Sequence, residues 1–281
     1  MPQPSDSEEV LTSSTLTRRE RSPRKLFLVG GLLLSYFIGG FINNPMTNSI
    51  VDLTLAWVDD HTHRIDPYIG NSVDISERDG HYYSGMPPGL SVALIPCYLL
   101  AKPLLAALGP ARVAAMNAAL NQGVQKKFSI YSAAERLAMP KRLEGILTLI
   151  LGTLLIGIPA TLISAALLLN LLRDVPLGVA SAWVGFALLF TPLGSFSATL
   201  YHNTLAALAL WWAYYWISNR KNLLIAGLLA GYAPTLDYVS ALYLCIIALF
   251  AFTELWRRHR DLTATLQFFL ACAVPLALLG L

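Results

Sequence analysis

The sequence predicts an all-α protein, a polytopic transmembrane helical bundle whose large first extracytoplasmic loop contains interfacial helices. Three observations predict it. First, 55% of the 281 residues are hydrophobic and only 13% are charged, with a mean hydropathy of +0.55, whereas soluble domains are roughly one-quarter charged. Second, apolar runs of about 20 residues recur, the length a helix needs to cross hydrocarbon. They are unbroken rather than alternating, which favours helices over barrel strands as the way to satisfy the backbone in lipid. Third, Lys and Arg sit at alternate ends of these runs, as cytoplasmic loops require. The net charge of +3 is small, and no nucleic-acid partner follows from it.

The elements follow in order. Residues 1–25 are a polar, Ser- and Thr-rich tail ending in Arg18, Arg19, Arg21, Arg24 and Lys25, expected to be disordered and cytoplasmic. A first span runs from about Leu26 to Ile42. It carries no Ala-x-Ala cleavage pattern and is expected to stay as an anchor. Residues 43–143 form the extracytoplasmic loop. Within it the apolar stretch Leu90–Leu108, with Pro96 and Pro103, is expected to lie at the interface or to re-enter, since a full crossing would upset the charge pattern downstream.

Further spans are expected at Leu147–Leu172, which ends on Arg173 and Asp174, at Leu177–Leu193, and at Leu200–Ile217, which meets Arg220 and Lys221. Two more follow at Leu223–Pro234, which reaches Asp237, and at Tyr238–Leu255, which descends to Arg257, Arg258, His259 and Arg260. A seventh begins near Leu266 and is still apolar at Leu281, so the sequence is expected to be the front part of a longer protein. No internal repeat is visible, and residues 26–281 are taken as one membrane domain. Cys97, Cys245 and Cys272 lie inside apolar segments without metal-ligand spacing and are read as small apolar residues.

Polar groups concentrate in Asn43–Gly89. Asp52, Asp59, Asp60, Asp66, Asp74 and Asp79 offer carboxylates for a general base or a divalent cation, and Arg64, Arg78 and His81 suit a phosphate. Any single one of these reads more simply as a solvated surface group, and their clustering is the signal. Apolar residues between Ile50 and Val58 suit a short helix lying on the membrane with Asp52 near its beginning, where a carboxylate either complements the helix dipole or approaches a lipid-borne substrate. His81, Tyr82 and Tyr83 beside Pro87 and Pro88 point to a fixed turn before the interfacial helix, although the tyrosines also suit an interfacial belt.

Several segments carry a resemblance. They are Asn48-Ser49-Ile50-Val51-Asp52-Leu53-Thr54, Arg64-Ile65-Asp66-Pro67-Tyr68, Asn71-Ser72-Val73-Asp74, Asp79-Gly80-His81-Tyr82-Tyr83-Ser84 and Pro87-Pro88-Gly89-Leu90-Ser91, then Tyr201-His202-Asn203 and Ala226–Gly231 leading to Asp237-Tyr238. In this order they resemble the C-type-fold glycosyltransferases that use polyprenyl-phosphate sugars, in particular the protein mannosyltransferase and aminoarabinose transferase families. The chain departs from that pattern at Gly85 and Met86, where relatives commonly carry an acidic residue followed by Lys, and at Thr47–Ile50, where many have an acidic residue and a following Arg.

The resemblance implies a transferase in the plasma or inner membrane that moves a sugar from a polyprenyl-phosphate donor to an envelope acceptor, which is a glycan, lipid or protein. It implies Asp52 and Asp74 as catalytic base or metal partner, with a divalent cation as a possible cofactor. Arg64, His81, Tyr82 and His202 are implied as donor contacts. Two other readings compete. A transporter would use intramembrane groups such as His202 and Asp237 as its pathway, though Asp237 also suits a structural counter-ion, and a noncatalytic or truncated remnant would keep the fold without the chemistry.

Overall fold

A computed structural model of the chain describes residues 45–127, 141–172, 174–190, 200–219, 222–258 and 260–279. The expected tail, the first span and the end of the expected Leu177–Leu193 span lie outside the described residues. The described protein is mostly helical, and its only strands are two short ones.

Helix α1, Pro45–Leu55, begins on a proline, whose missing N–H costs nothing in a first turn. From Ile50 to Ala56 every side chain is buried, so this helix is wrapped on all sides rather than lying on a surface. One wide π turn, Ala56–Asp60, prolongs it to His61 in the left-handed conformation. A 3-10 turn at Asp66–Asn71 follows. Strands β1, Ile75–Arg78, and β2, His81–Ser84, then pair antiparallel with Arg78 opposite His81. Their two-residue loop has positive φ at both Asp79 and Gly80, the geometry of a type I′ turn, for which Asp-Gly is a favoured pair.

Helix α2, Gly89–Leu108, is continuous through Pro96 and Pro103. At 20 residues it is long and apolar enough to cross a membrane, so the expected interfacial or re-entrant segment is one full-length helix. Helix α3, Pro110–Lys127, follows directly. Helix α4, Arg142–Gly152, runs through a π turn at Thr153–Gly157 into α5, Ile158–Leu171. Together they make a second helix of membrane length, 30 residues. The wide turn sits just before Pro159, where the missing N–H and the ring disturb the regular ladder.

The remaining helices are α6, Leu177–Phe190, α7, His202–Ser218, α8, Leu223–Leu236, α9, Ser240–Ala251, and α10, Leu262–Leu278. Helix α8 continues through Pro234, past the Pro234 limit expected for the fifth span. It packs on α7 and on α10. A Cβ at Gly227 would strike the carbonyl of Phe268, and one at Gly231 the carbonyl of Cys272, so this Gly-x-x-x-Gly pair lets two backbones touch. Tyr232 Oη donates to the carbonyl of Gly89 at 2.6 Å, which fastens α8 to the start of α2. The largest apolar core lies where α1, α2, α7 and α8 meet, around Ile50, Leu55, Leu90, Leu94, Leu205 and Leu236.

Candidate functional site

Helices α1 and α2 run side by side. Thr54 Oγ1 donates to the Ser91 carbonyl at 3.1 Å and Ser91 Oγ to the Ile50 carbonyl at 2.8 Å. This seam holds Asp52, the eighth residue of the helix and only 2% exposed. The expectation of Asp52 near a helix start is therefore corrected: the helix begins at Pro45, two turns earlier, and the carboxylate is too far from that end to serve its dipole.

Asp52 Oδ1 accepts from Asn71 Nδ2 at 2.7 Å. Asn71 is held in turn by Asn48 Nδ2, which donates to its carbonyl at 2.8 Å. Asp52 Oδ2 is buried and has no partner among the described residues. Burial pushes the carboxyl up to about 8, against the smaller opposing effect of the Asn71 hydrogen bond. Withdrawing a carboxylate from water disfavours its charged form, and one amide donor restores only part of the loss.

Asp74 stands at the base of the hairpin. Its backbone N–H donates to Ser72 Oγ at 3.0 Å, its carbonyl accepts from the Gly85 N–H at 3.2 Å, and its Oδ2 is buried without a partner among the described residues. A Cβ on Gly85 would lie 2.7 Å from Asp74 Oδ1. The absence of a side chain at Gly85 thus makes room for this carboxylate. His202, the first residue of α7, is buried and stacks on Tyr201 with ring centroids 5.0 Å apart. The charges of Asp237 and Asp74 both reach its imidazole. Asp74 and Asp237 therefore lie within electrostatic reach of His202.

The remaining expected donor contacts lie along the hairpin. His81 Nδ1 pairs with Asp66 Oδ2 at 2.9 Å, and Asp66 Oδ1 accepts the Tyr82 N–H at 2.6 Å. The Tyr82 hydrogen bond is the largest influence drawing Asp66 below the usual carboxylate range, with His81 and Arg64 adding to it. His81 and Tyr82 belong to a strand rather than to the expected turn. Arg64 is exposed, and its charge acts on Asp66. The expected site thus divides into Asp52 with Asn71, Asp74 with His202, and Arg64 with His81 and Tyr82.

A second polar centre was not anticipated. Asp59 accepts from Tyr98 Oη at 2.6 Å, Lys102 Nζ at 2.8 Å and Lys141 Nζ at 2.6 Å. Lys141 also donates to Tyr68 Oη at 3.1 Å, and Tyr68 Oη donates to Asp60. Burial alone would raise Asp59 and is the largest single influence, but the Lys102, Lys141 and Tyr98 hydrogen bonds together outweigh it and hold the carboxyl at about 2. Lys102 and Lys141 are 43 and 82 residues away in sequence, so no local pattern announces the cluster.

Among the described residues no three His, Cys, Asp or Glu side chains converge in a group that could hold a metal ion. The donor set for the expected divalent cation is therefore not assembled among the described residues. Comparisons with protein-family models, with curated proteins and with solved structures each find no match to this chain.

Proposed function

We propose that the chain is a multi-pass membrane glycosyltransferase, with a cytoplasmic N-terminus, that moves a sugar from a polyprenyl-phosphate donor to a hydroxyl of an envelope acceptor at the extracytoplasmic face. The observation that carries this reading is Asp52: a buried carboxylate with one oxygen tied to Asn71 and the other left without a partner among the described residues. Such a group is expensive to keep. A general base uses that arrangement, because its free oxygen takes the proton and its acidity lies near the working pH.

In the proposed reaction the acceptor oxygen attacks the anomeric carbon and forms the new glycosidic bond. The bond from that carbon to the phosphate oxygen breaks, and its electron pair leaves with polyprenyl phosphate. The acceptor proton passes to Asp52 Oδ2. His202 and Asp74 contact the sugar, and Arg64, His81 and Tyr82 meet the phosphate from the hairpin. Multi-pass insertion is supported by the two helices of membrane length and three shorter apolar ones. Exposed Leu242, Ile246 and Leu249 on α9 and Leu270 and Leu278 on α10 present the apolar surface that lipid would cover.

Two measurements test the proposal. The first places single cysteines at Asp79, Asp174 and Arg260, all exposed, in a background without Cys97, Cys245 and Cys272, and labels intact cells with an impermeant maleimide. Labelling at 79 is expected and protection at 79 overturns the proposal; 174 and 260 are labelled together with 79 if α2 and α4–α5 both cross, and are protected if α2 stays at the interface. The second follows release of polyprenyl phosphate from polyprenyl-phosphate mannose and polyprenyl-phosphate arabinose by the full chain in liposomes supplied with envelope glycan and lipid. No acceptor-dependent release from either donor counts against the transferase.

A further inference from the structure

Asn71 lies in the 3-10 turn, outside every expected role, yet it is the residue that touches the Asp52 side chain. Its Nδ2 donates to one carboxylate oxygen at 2.7 Å while its own carbonyl is held by Asn48 Nδ2 at 2.8 Å. Both asparagines thereby order a carboxylate that sits on the middle of a helix buried on all sides. With Oδ1 engaged, rotation of the carboxyl about its last bond is arrested, and Oδ2 is the oxygen left without a partner among the described residues. A buried acid with no fixed donor would be free to present either oxygen, and would be harder still to ionise.

We infer that Asn71 is a positioning residue for Asp52: it selects which carboxylate oxygen is free and stabilises the ionised form, with Asn48 holding Asn71 in place. The inference rests on the proposed base role only for its consequence in catalysis, because the hydrogen bond and the acidity it sets are properties of the resting protein. Asn71 reaches Asp52 from a turn 19 residues away in sequence. Tyr68, on the same turn, is close enough to Asp52 to feel its charge. The charges of Asp60, Asp59 and Asp52 all act on the Tyr68 phenol of that turn.

The test uses the full chain in liposomes and needs no turnover. A hydrophobic carbodiimide reacts with buried carboxyl groups only while they are protonated, and mass spectrometry of the Asp52 peptide reads the extent of modification across pH. In the wild type the modification is expected to fall with a midpoint near pH 8. In Asn71→Ala the midpoint should move upward by about one pH unit, a roughly tenfold weaker acid. Asn71→Ser, which keeps a shorter donor, should lie between the two and serves if the alanine variant fails to insert. A midpoint that stays in place in the inserted variants overturns the inference. The failure of the transferase reading looks different: the midpoint shifts as expected while no acceptor-dependent release is seen in any variant. If both stand, the pH dependence of release shifts in parallel.

Discussion

Asp52 and Asp59 lie seven residues apart on one continuous run of helix and π turn, and both are carboxylates drawn out of water, yet their surroundings differ in one respect. Asp59 receives two ammonium groups and a phenol, and is held at about 2. Asp52 receives one amide, and is pushed up to about 8. Burial is the largest influence at both. What separates them is the number and charge of the donors that answer it. A carboxylate saturated by cations joins pieces of chain, while one left short of donors keeps the capacity to take a proton.

The strongest way to break this contrast is to remove each charge in turn. Asp52→Asn keeps the shape and is expected to lower sugar release by roughly 10²–10⁴-fold, the usual contribution of a general base, with maleimide topology unchanged. Asp59→Asn should leave release within a few-fold of wild type. An Asp52→Asn variant that turns over normally would remove the base role.

Stability should respond in the opposite sense. Asp59→Ala frees Lys102 and Lys141 and costs about 2 kcal/mol, a figure reduced from that of fully buried charge-assisted bonds because both lysines are partly exposed. Chemical unfolding in detergent measures it. A loss below about 0.5 kcal/mol, the scale of surface pairs, would reduce the cluster to surface decoration.

The pH dependences should also oppose one another. The folded acidity of Asp59 lies below the ordinary 3.8, so its stabilisation is full above that pH and is lost as pH falls toward about 2. Asp52 is raised, so between 3.8 and about 8 the folded state keeps a proton that the unfolded state gives up, and stability falls as pH rises through that window. Asp52→Asn should flatten the neutral slope and Asp59→Asn the acidic one. Sugar release by the wild type should climb with pH toward a midpoint near 8. The smallest expected effect is a control away from both acids: Gly80→Ala meets no atom within 4 Å but must hold φ at +74°, which costs about 1 kcal/mol and leaves release unchanged.

Much of the helical layout was legible in the apolar runs, because hydrocarbon length and Lys/Arg placement act on each segment separately. The starts of α7 at His202 and of α8 at Leu223 fall close to the expected boundaries. Asp52 was legible as a candidate but its setting was not, since Thr47, Asn48 and Ser49 interrupt the apolar pattern before it reaches back to Pro45. The hairpin had a usable signal in Asp79-Gly80, passed over because the flanking residues read as an irregular turn. Asn71 and the Asp59 cluster were beyond local reading, because their partners lie 19, 43 and 82 residues away and meet only once the chain has folded.

Helix α8 meets its neighbours closely at both ends. Near its start Gly227 and Gly231 press against the backbone of Phe268 and Cys272, and near its end Thr235 fills the space a Cβ on Gly89 would need. These contacts are eight residues apart, roughly 12 Å of helix. The first turn of α2, whose Ser91 is tied to the helix bearing Asp52, is thus packed directly against α8.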